Sequence, residues 1–315
     1  DGLDAVQKIG CGGLASAIAK TSVAPFERIK LLLQTQRLVP GHQLYRGVHD
    51  AILRIPGEQG FFSLWRGNAM NVSRIVPTYA LRFTLADKYR DIVSVGAPKD
   101  TQLSLLRQMA AAALSGFTTV LVTFPLDLMR TRVSSLVEAN SGERHSVGFL
   151  STGRGIVSRE GWRGLYRGAT ISAVEITPYV AITIGGYNYM NARLARDGKP
   201  VLWWSKLTIG WVLGLTGSLV CYPLDTLKRH LMLQGTKGFE GSVTASKTAA
   251  SAAEAMPFSI AVVRHIATYA ADMYRQGGIR VFYHGVLVNA LKSAPAASLT
   301  FVLNDYFRGI VTSRS

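Results

Sequence analysis

Apolar residues fall in long runs that ions interrupt at a regular interval. Ile9–Ala19 leads to Lys20, Met109–Leu126 to Asp127, and Leu207–Leu224 to Asp225. Shorter apolar stretches lie between them, at Ile75–Leu81, Ile176–Ala192 and Ser293–Asn304. Apolar runs so spaced, separated by polar segments, predict two long helices in every hundred residues or so, six in all. A loop and a short helix are expected inside each pair.

The breaks carry one motif in three copies: Pro25-Phe-Glu27-Arg-Ile-Lys30, Pro125-Leu-Asp127-Leu-Met-Arg130 and Pro223-Leu-Asp225-Thr-Leu-Lys228. The prolines stand 100 and 98 residues apart. Average composition gives such a match at roughly one position in a thousand. Three evenly spaced copies therefore mean internal triplication, with repeats over 1–98, 99–198 and 199–315. A second signal is in phase: Gly60 with Trp65-Arg66-Gly67, Gly161 with Tyr166-Arg167-Gly168, and Gly278 with Tyr283-His284-Gly285.

Composition places the helices in lipid. Only 17% of residues are charged and the mean hydropathy is +0.19, whereas a soluble domain carries about a quarter charged residues. The runs from Met109 and from Leu207 reach the lower limit for a membrane span. Ions within such helices face a protein interior or a water-filled cavity. Small residues (Gly10 to Gly13, Ala110 to Ala113 with Gly116, Gly210 and Gly214) would allow close helix contact.

On such helices each proline removes a backbone hydrogen bond and bends the axis. Three symmetry-related bends gather three helix ends at one side of a bundle, where acid and base of neighbouring repeats can pair. Lys20, Glu27 and Gln34 are spaced by sevens and share a face, with Lys30 nearby. That is a polar stripe on an apolar rod.

These motifs resemble the mitochondrial carrier family over essentially the whole chain. Within it the likeness is to ADP/ATP carriers: Lys20 through Gln34 nearly repeats their first helix, and Arg66 through Arg90 is similar to their second. The resemblance implies an all-α membrane protein, a threefold pseudosymmetric barrel of six transmembrane helices in the mitochondrial inner membrane. A central cavity would bind one substrate and open alternately to either side. It further implies a matrix gate pairing Glu27 with Arg130, Asp127 with Lys228 and Asp225 with Lys30, braced by Gln34.

The opposite gate departs from the family pattern. Asp87 with Arg90 and Asp305 with Arg308 fit an acid-x-x-base motif, but the second repeat has Asn188 and Asn191. Only Asp305 with Arg90 would be fully ionic, which implies a weaker lock on the intermembrane-space side. Substrate positions carried over from the nucleotide carriers are Lys20, Arg74, Ile176, Tyr179, Lys228 and Lys292, and Arg82 adds a cation. Clustered cations in a low-dielectric cavity favour an anionic substrate.

Other departures bear on specificity. Glu175 stands where nucleotide carriers have glycine, placed to pair with Arg74 or Lys292, to cap a substrate amino group, or to block the pocket. Val180 replaces an arginine, and the Arg-Arg-Arg-Met-Met-Met signature reads Lys228-Arg229-His230-Leu231-Met232-Leu233. ADP/ATP exchange is the reading taken, with another anionic or zwitterionic metabolite, or a structural subunit of a larger inner-membrane assembly, as its rivals. The interval from Gly47 to Gly60 and from Gly148 to Gly161 is 13 residues, but from Gly241 to Gly278 it is 37. An insertion around 242–265 is expected there, as a surface loop or a docking site for a protein partner.

The net charge of +16 suits anionic lipid better than nucleic acid, for which no recognition module is present. The resemblance implies structural cardiolipin at helix starts involving Gly47, Arg66, Gly67, Arg167, Gly168 and Gly241, where backbone amides favour phosphate. No other cofactor and no metal are expected. Cys11 and Cys221 lack metal spacing and the six histidines do not cluster, so nothing points to catalysis. Cys221 matches a cavity-facing serine position and is either thiol-reactive or structural.

Overall fold

A computed structural model describes residues 2–38, 44–94, 105–135, 149–196, 203–234, 236, 259–293, 299 and 303. Among them every regular element is helical. Repeat one contains α1 (Gly2–Thr35), α2 (Val48–Gln59), α3 (Asn68–Ser73) and α4 (Ile75–Ser94). Repeat two contains α5 (Leu105–Ser135), α6 (Phe149–Gly164), α7 (Ala169–Val180) and α8 (Gly186–Arg196), the last two joined by a π-helical segment, Ala181–Gly185. Repeat three contains α9 (Trp203–Leu233), α10 (Ile260–Gly277) and α11, residues 286–293.

The motif prolines lie inside α1, α5 and α9, and these three helices touch pairwise. Below the prolines the core forms in three copies. In each, the end of a long helix packs on the short helix of its own repeat. Ile29, Leu32 and Leu33 meet Ala51 and Ile55; Phe124, Leu128 and Met129 meet Ile156; Leu227 and Leu231 meet Tyr269 and Met273. Each cluster also takes one residue from the preceding repeat: Val288 enters the first, Met70 the second and Ile171 the third. These three residues all stand three positions after a motif glycine. Because Val288 of repeat three completes the cluster of repeat one, the arrangement closes on itself as a ring.

The glycines show why the second motif is triplicated. Among the described residues those with positive φ are Gly60, Gly161, Gly278, Gly67, Gly168 and Gly285, the six motif glycines. Each sits in a backbone region that costs an L-residue about 1–2 kcal/mol. Gly67 is also crowded, since a Cβ there would lie 2.0 Å from Ser134 Oγ. Gly67→Ala is expected to lower stability by about 2 kcal/mol or more, read as the thermal unfolding midpoint in detergent. Gly13→Ala, with nothing within 4 Å of its Cβ, should leave the midpoint unchanged.

Among the described residues nothing comes within 4 Å of a Cβ at Gly13, Gly210 or Gly214, whereas Gly116 meets Ile176 of α7 at 3.5 Å, as close helix contact requires. Closer approaches occur at Gly186 against Leu213 (2.8 Å) and at Gly217 against Thr183 and Tyr179 (3.3 Å). Among the described residues two helical stretches, Met109–Ser135 and Ala169–Asn191, are long and apolar enough to cross a membrane. The second qualifies despite Glu175. Large apolar residues such as Leu106, Leu114, Val122, Val174 and Val220 are exposed, as lipid-facing surface requires.

Within the segment expected as an insertion, 260–265 are helical rather than loop. Ser259 caps α10, its Oγ accepting from the Val262 amide at 3.4 Å, and the capped helix runs 18 residues against 12 in α2. Residues 242–258 and Gly241 lie outside those described.

Candidate functional site

A cavity of about 240 Å³ lies between α5, α7 and α9 and is lined by Arg74, Glu175, Ile176, Tyr179 and Lys228, among others. Five expected substrate positions thus meet in one space. Arg74 stands where α3 gives way to α4, and Glu175, Ile176 and Tyr179 follow one another along the inner face of α7. The volume is below the roughly 300–1,000 Å³ of common ligand pockets, and the ion pairs of Arg74 with Asp127 and of Lys228 with Glu175 lie within its lining.

Those ion pairs differ in part from the expected set. Lys30 Nζ is 2.7 Å from Asp225 Oδ2, and Arg130 is ion-paired with Glu27. Gln34 braces the first by donating to Asp225 and to Thr226 Oγ1, each at 3.2 Å. The third bridge, Asp127 with Lys228, is not made. Asp127 takes Arg74 instead, and Lys228 reaches Glu175 at 2.5 Å. The reason is proximity: a second carboxylate on α7 faces the lysine and a second cation faces the aspartate. Glu175 therefore pairs with neither Arg74 nor Lys292, the partners considered from sequence.

Lys292 lies 3.6 Å from Glu27, in a neighbouring pocket with Lys30, Gln34 and Arg130, so it faces the ion-paired residues of the proline motifs rather than the first cavity. Lys20 is half-buried on α1 and is not among the residues lining either cavity. Val180 is buried, closing the end of α7 where an arginine was expected. Cys221 is buried, with its thiol 3.8 Å from the Glu175 carbonyl oxygen, which selects the structural alternative. The side chains of Arg82, Asp87 and Asn188 lie outside those described, as do Asp305 and Arg308. Arg90 is exposed and Asn191 half-buried.

Three side chains that sequence reading did not single out form a second ring. Arg28 Nε donates to the Ser134 carbonyl at 3.3 Å, Arg132 Nε to the Met232 carbonyl at 2.9 Å, and His230 Nε2 lies 2.8 Å from the Gln34 carbonyl. All three carbonyls stand nine residues after a motif proline. Each donor also holds a short helix of its own repeat: Arg28 bonds Gln59 at 2.6 Å, Arg132 pairs with Glu160, and His230 Nδ1 lies 3.2 Å from the Tyr269 hydroxyl. The pattern is hidden because Arg28 stands three residues after its proline, whereas Arg132 and His230 stand seven after theirs. The repeated signal is the carbonyl, which a sequence does not display.

Of the expected lipid positions, Gly67 and Gly168 start α3 and α7 in left-handed geometry, while Gly47 starts α2 with extended backbone. Arg66 precedes Gly67, and its carbonyl accepts from Ser134 Oγ at 3.1 Å. Arg167 turns inward, donating to the Gln234 carbonyl at 2.7 Å and lying 3.3 Å from Glu160. Its guanidinium is thus committed to protein partners. Burial, and then the Arg167 charge, holds His265 on α10 below the usual histidine range. A folded value below the unfolded one means that stability is complete above the unfolded pKa and falls as pH drops through it. Thermal unfolding should therefore occur earlier at about pH 5.5 than at pH 7.5, and His265→Gln should reduce that difference.

Relatives of the chain agree with its three-repeat organisation. The chain matches the family described as "Mitochondrial carrier protein" over residues 1–96, 101–198 and 199–315. It is 38% identical to ADP/ATP translocase 3 of Homo sapiens over 237 residues, covering 72% of this chain and 78% of the relative. It is 33% identical to ADP/ATP translocase 4 of Macaca fascicularis over 303 residues, 93% and 88% of the two chains. ADP/ATP translocase 4 of Bos taurus is 32% identical over 308 residues, 95% and 87%. Three tandem repeats, a ring of three proline-containing helices and matches along the whole length make this chain a divergent member of the mitochondrial carrier family, a membrane transporter built on the threefold six-helix barrel.

Proposed function

We propose that the chain exchanges ADP for ATP across the mitochondrial inner membrane by alternating access. The observation that carries this reading is the single cavity in which Arg74 and Lys228 flank Ile176 and Tyr179. The two cations suit phosphates, and the isoleucine and tyrosine offer an apolar wall and a ring for a base to stack on. The names of the relatives, ADP/ATP translocases, support the same substrates.

Substrate phosphates compete with Asp127 and Glu175 for Arg74 and Lys228. The matrix gate opens only so far as substrate binds the opened state better than the closed one. Unequal charge on the two nucleotides makes exchange respond to membrane potential, by about 2.3 kcal/mol per charge per 100 mV. Cardiolipin at the starts of α3 and α7 would anchor the ring from outside.

The test is uptake of radiolabelled ADP into cardiolipin-containing proteoliposomes, with and without internal ATP. Uptake that depends on internal nucleotide supports exchange. Absence of uptake by folded protein overturns the nucleotide reading and leaves another metabolite or a structural role.

A further inference from the structure

We infer that Glu175 is a resident anion of the substrate cavity, occupying on Lys228 the place a substrate phosphate would take and biasing the site against the more highly charged nucleotide. This rests on the nucleotide reading above. Lys228 belongs to the gate by its place in the proline motif, yet its ammonium lies 2.5 Å from Glu175 and 3.3 Å from Asp225. The carboxylate comes from α7, one turn before Tyr179, and so intrudes from the wall on which substrate would lie rather than from the gate. It lines the same cavity as Arg74, Ile176 and Tyr179.

Two consequences follow from charge alone. A phosphate reaching Lys228 must first displace Glu175, so every anionic substrate pays that cost. The displaced carboxylate stays inside a small, low-dielectric space and repels whatever anion enters, in proportion to its charge. ATP carries one phosphate more than ADP and about one more negative charge, so it is penalised more. Glu175 thus sets the ratio of the two affinities as well as their level, and it acts against the substrate directly.

The ratio of KM for ATP to KM for ADP, measured in proteoliposomes without magnesium or membrane potential, reads this out. Wild-type protein should prefer ADP. Glu175→Gln should lower both KM values and move the ratio toward ATP by about tenfold, while Glu175→Asp, which keeps the charge, should stay near the wild-type ratio. A wild-type protein that exchanges neither nucleotide refutes the functional reading itself. One that exchanges both but binds ATP more tightly, or whose ratio Glu175→Gln leaves unmoved, refutes the role of Glu175. Thermal unfolding in detergent checks each variant, and Glu175→Ala replaces Glu175→Gln if that one does not fold. The wild-type ratio decides independently of any variant.

Discussion

Replacing Arg74 with alanine should cut nucleotide uptake by about a hundredfold or more. Arg74 stands at the break between α3 and α4, ion-paired with Asp127 and lining the cavity beside Ile176 and Tyr179. Hydrogen bonds to charged groups contribute about 1.5–3 kcal/mol each, and a guanidinium can give a phosphate two of them. Losing both is worth about two to four powers of ten in binding. The fold should survive. Asp127 loses its partner, but Lys228 lies in the same cavity and can turn from Glu175 toward it. Folding is checked by the thermal unfolding midpoint, transport by labelled uptake into proteoliposomes. Uptake retained by a folded Arg74→Ala protein would remove Arg74 from the substrate site.

Asp225→Asn should be the most damaging change among the ion pairs of the proline motifs. Asp225 is buried and serves Lys30 at 2.7 Å, Gln34 at 3.2 Å, Lys228 at 3.3 Å and Arg229 at 3.5 Å. Removing one partner of a buried pair costs about 3–5 kcal/mol, since the other charge is left uncompensated. Here several cations lose one anion. The midpoint should fall by about 10 °C or more. The reciprocal exchange Lys30→Asp with Asp225→Lys separates two explanations. A simple pair would be restored by it. A shared anion would not, because a lysine at 225 would face Lys228 and Arg229, and failure to recover the midpoint is the result expected.

The architecture was legible because it is written in backbone requirements. Proline recurs at one place in α1, α5 and α9, and the six motif glycines occupy conformations that other residues avoid, so the triplication survives at those positions. Two of the three pairs that the family resemblance implied, Glu27 with Arg130 and Asp225 with Lys30, were legible through it, since they stand at fixed offsets from each proline. The Lys228–Glu175 pair was not, because it depends on which of two carboxylates a flexible lysine reaches, and spacing does not rank them. The carbonyl-bound ring of Arg28, Arg132 and His230 escaped for a different reason: its repeated element carries no side-chain signature. Small residues misled in the opposite direction. Gly13, Gly210 and Gly214 read as contact points, but a missing side chain permits close approach without causing it.

The unmade bridge between Asp127 and Lys228 makes the three seams of the barrel unequal. The α1/α5 seam is held by Glu27 with Arg130, and the α9/α1 seam by Asp225 with Lys30 and Gln34. Across the α5/α9 seam both motif charges look away, into the cavity that opens beside them. That seam is fastened instead by Arg132 on the Met232 carbonyl at 2.9 Å and by Arg229 on Thr131 Oγ1 at 2.8 Å, so two seams are riveted by charge and the third is stitched by hydrogen bonds to neutral acceptors.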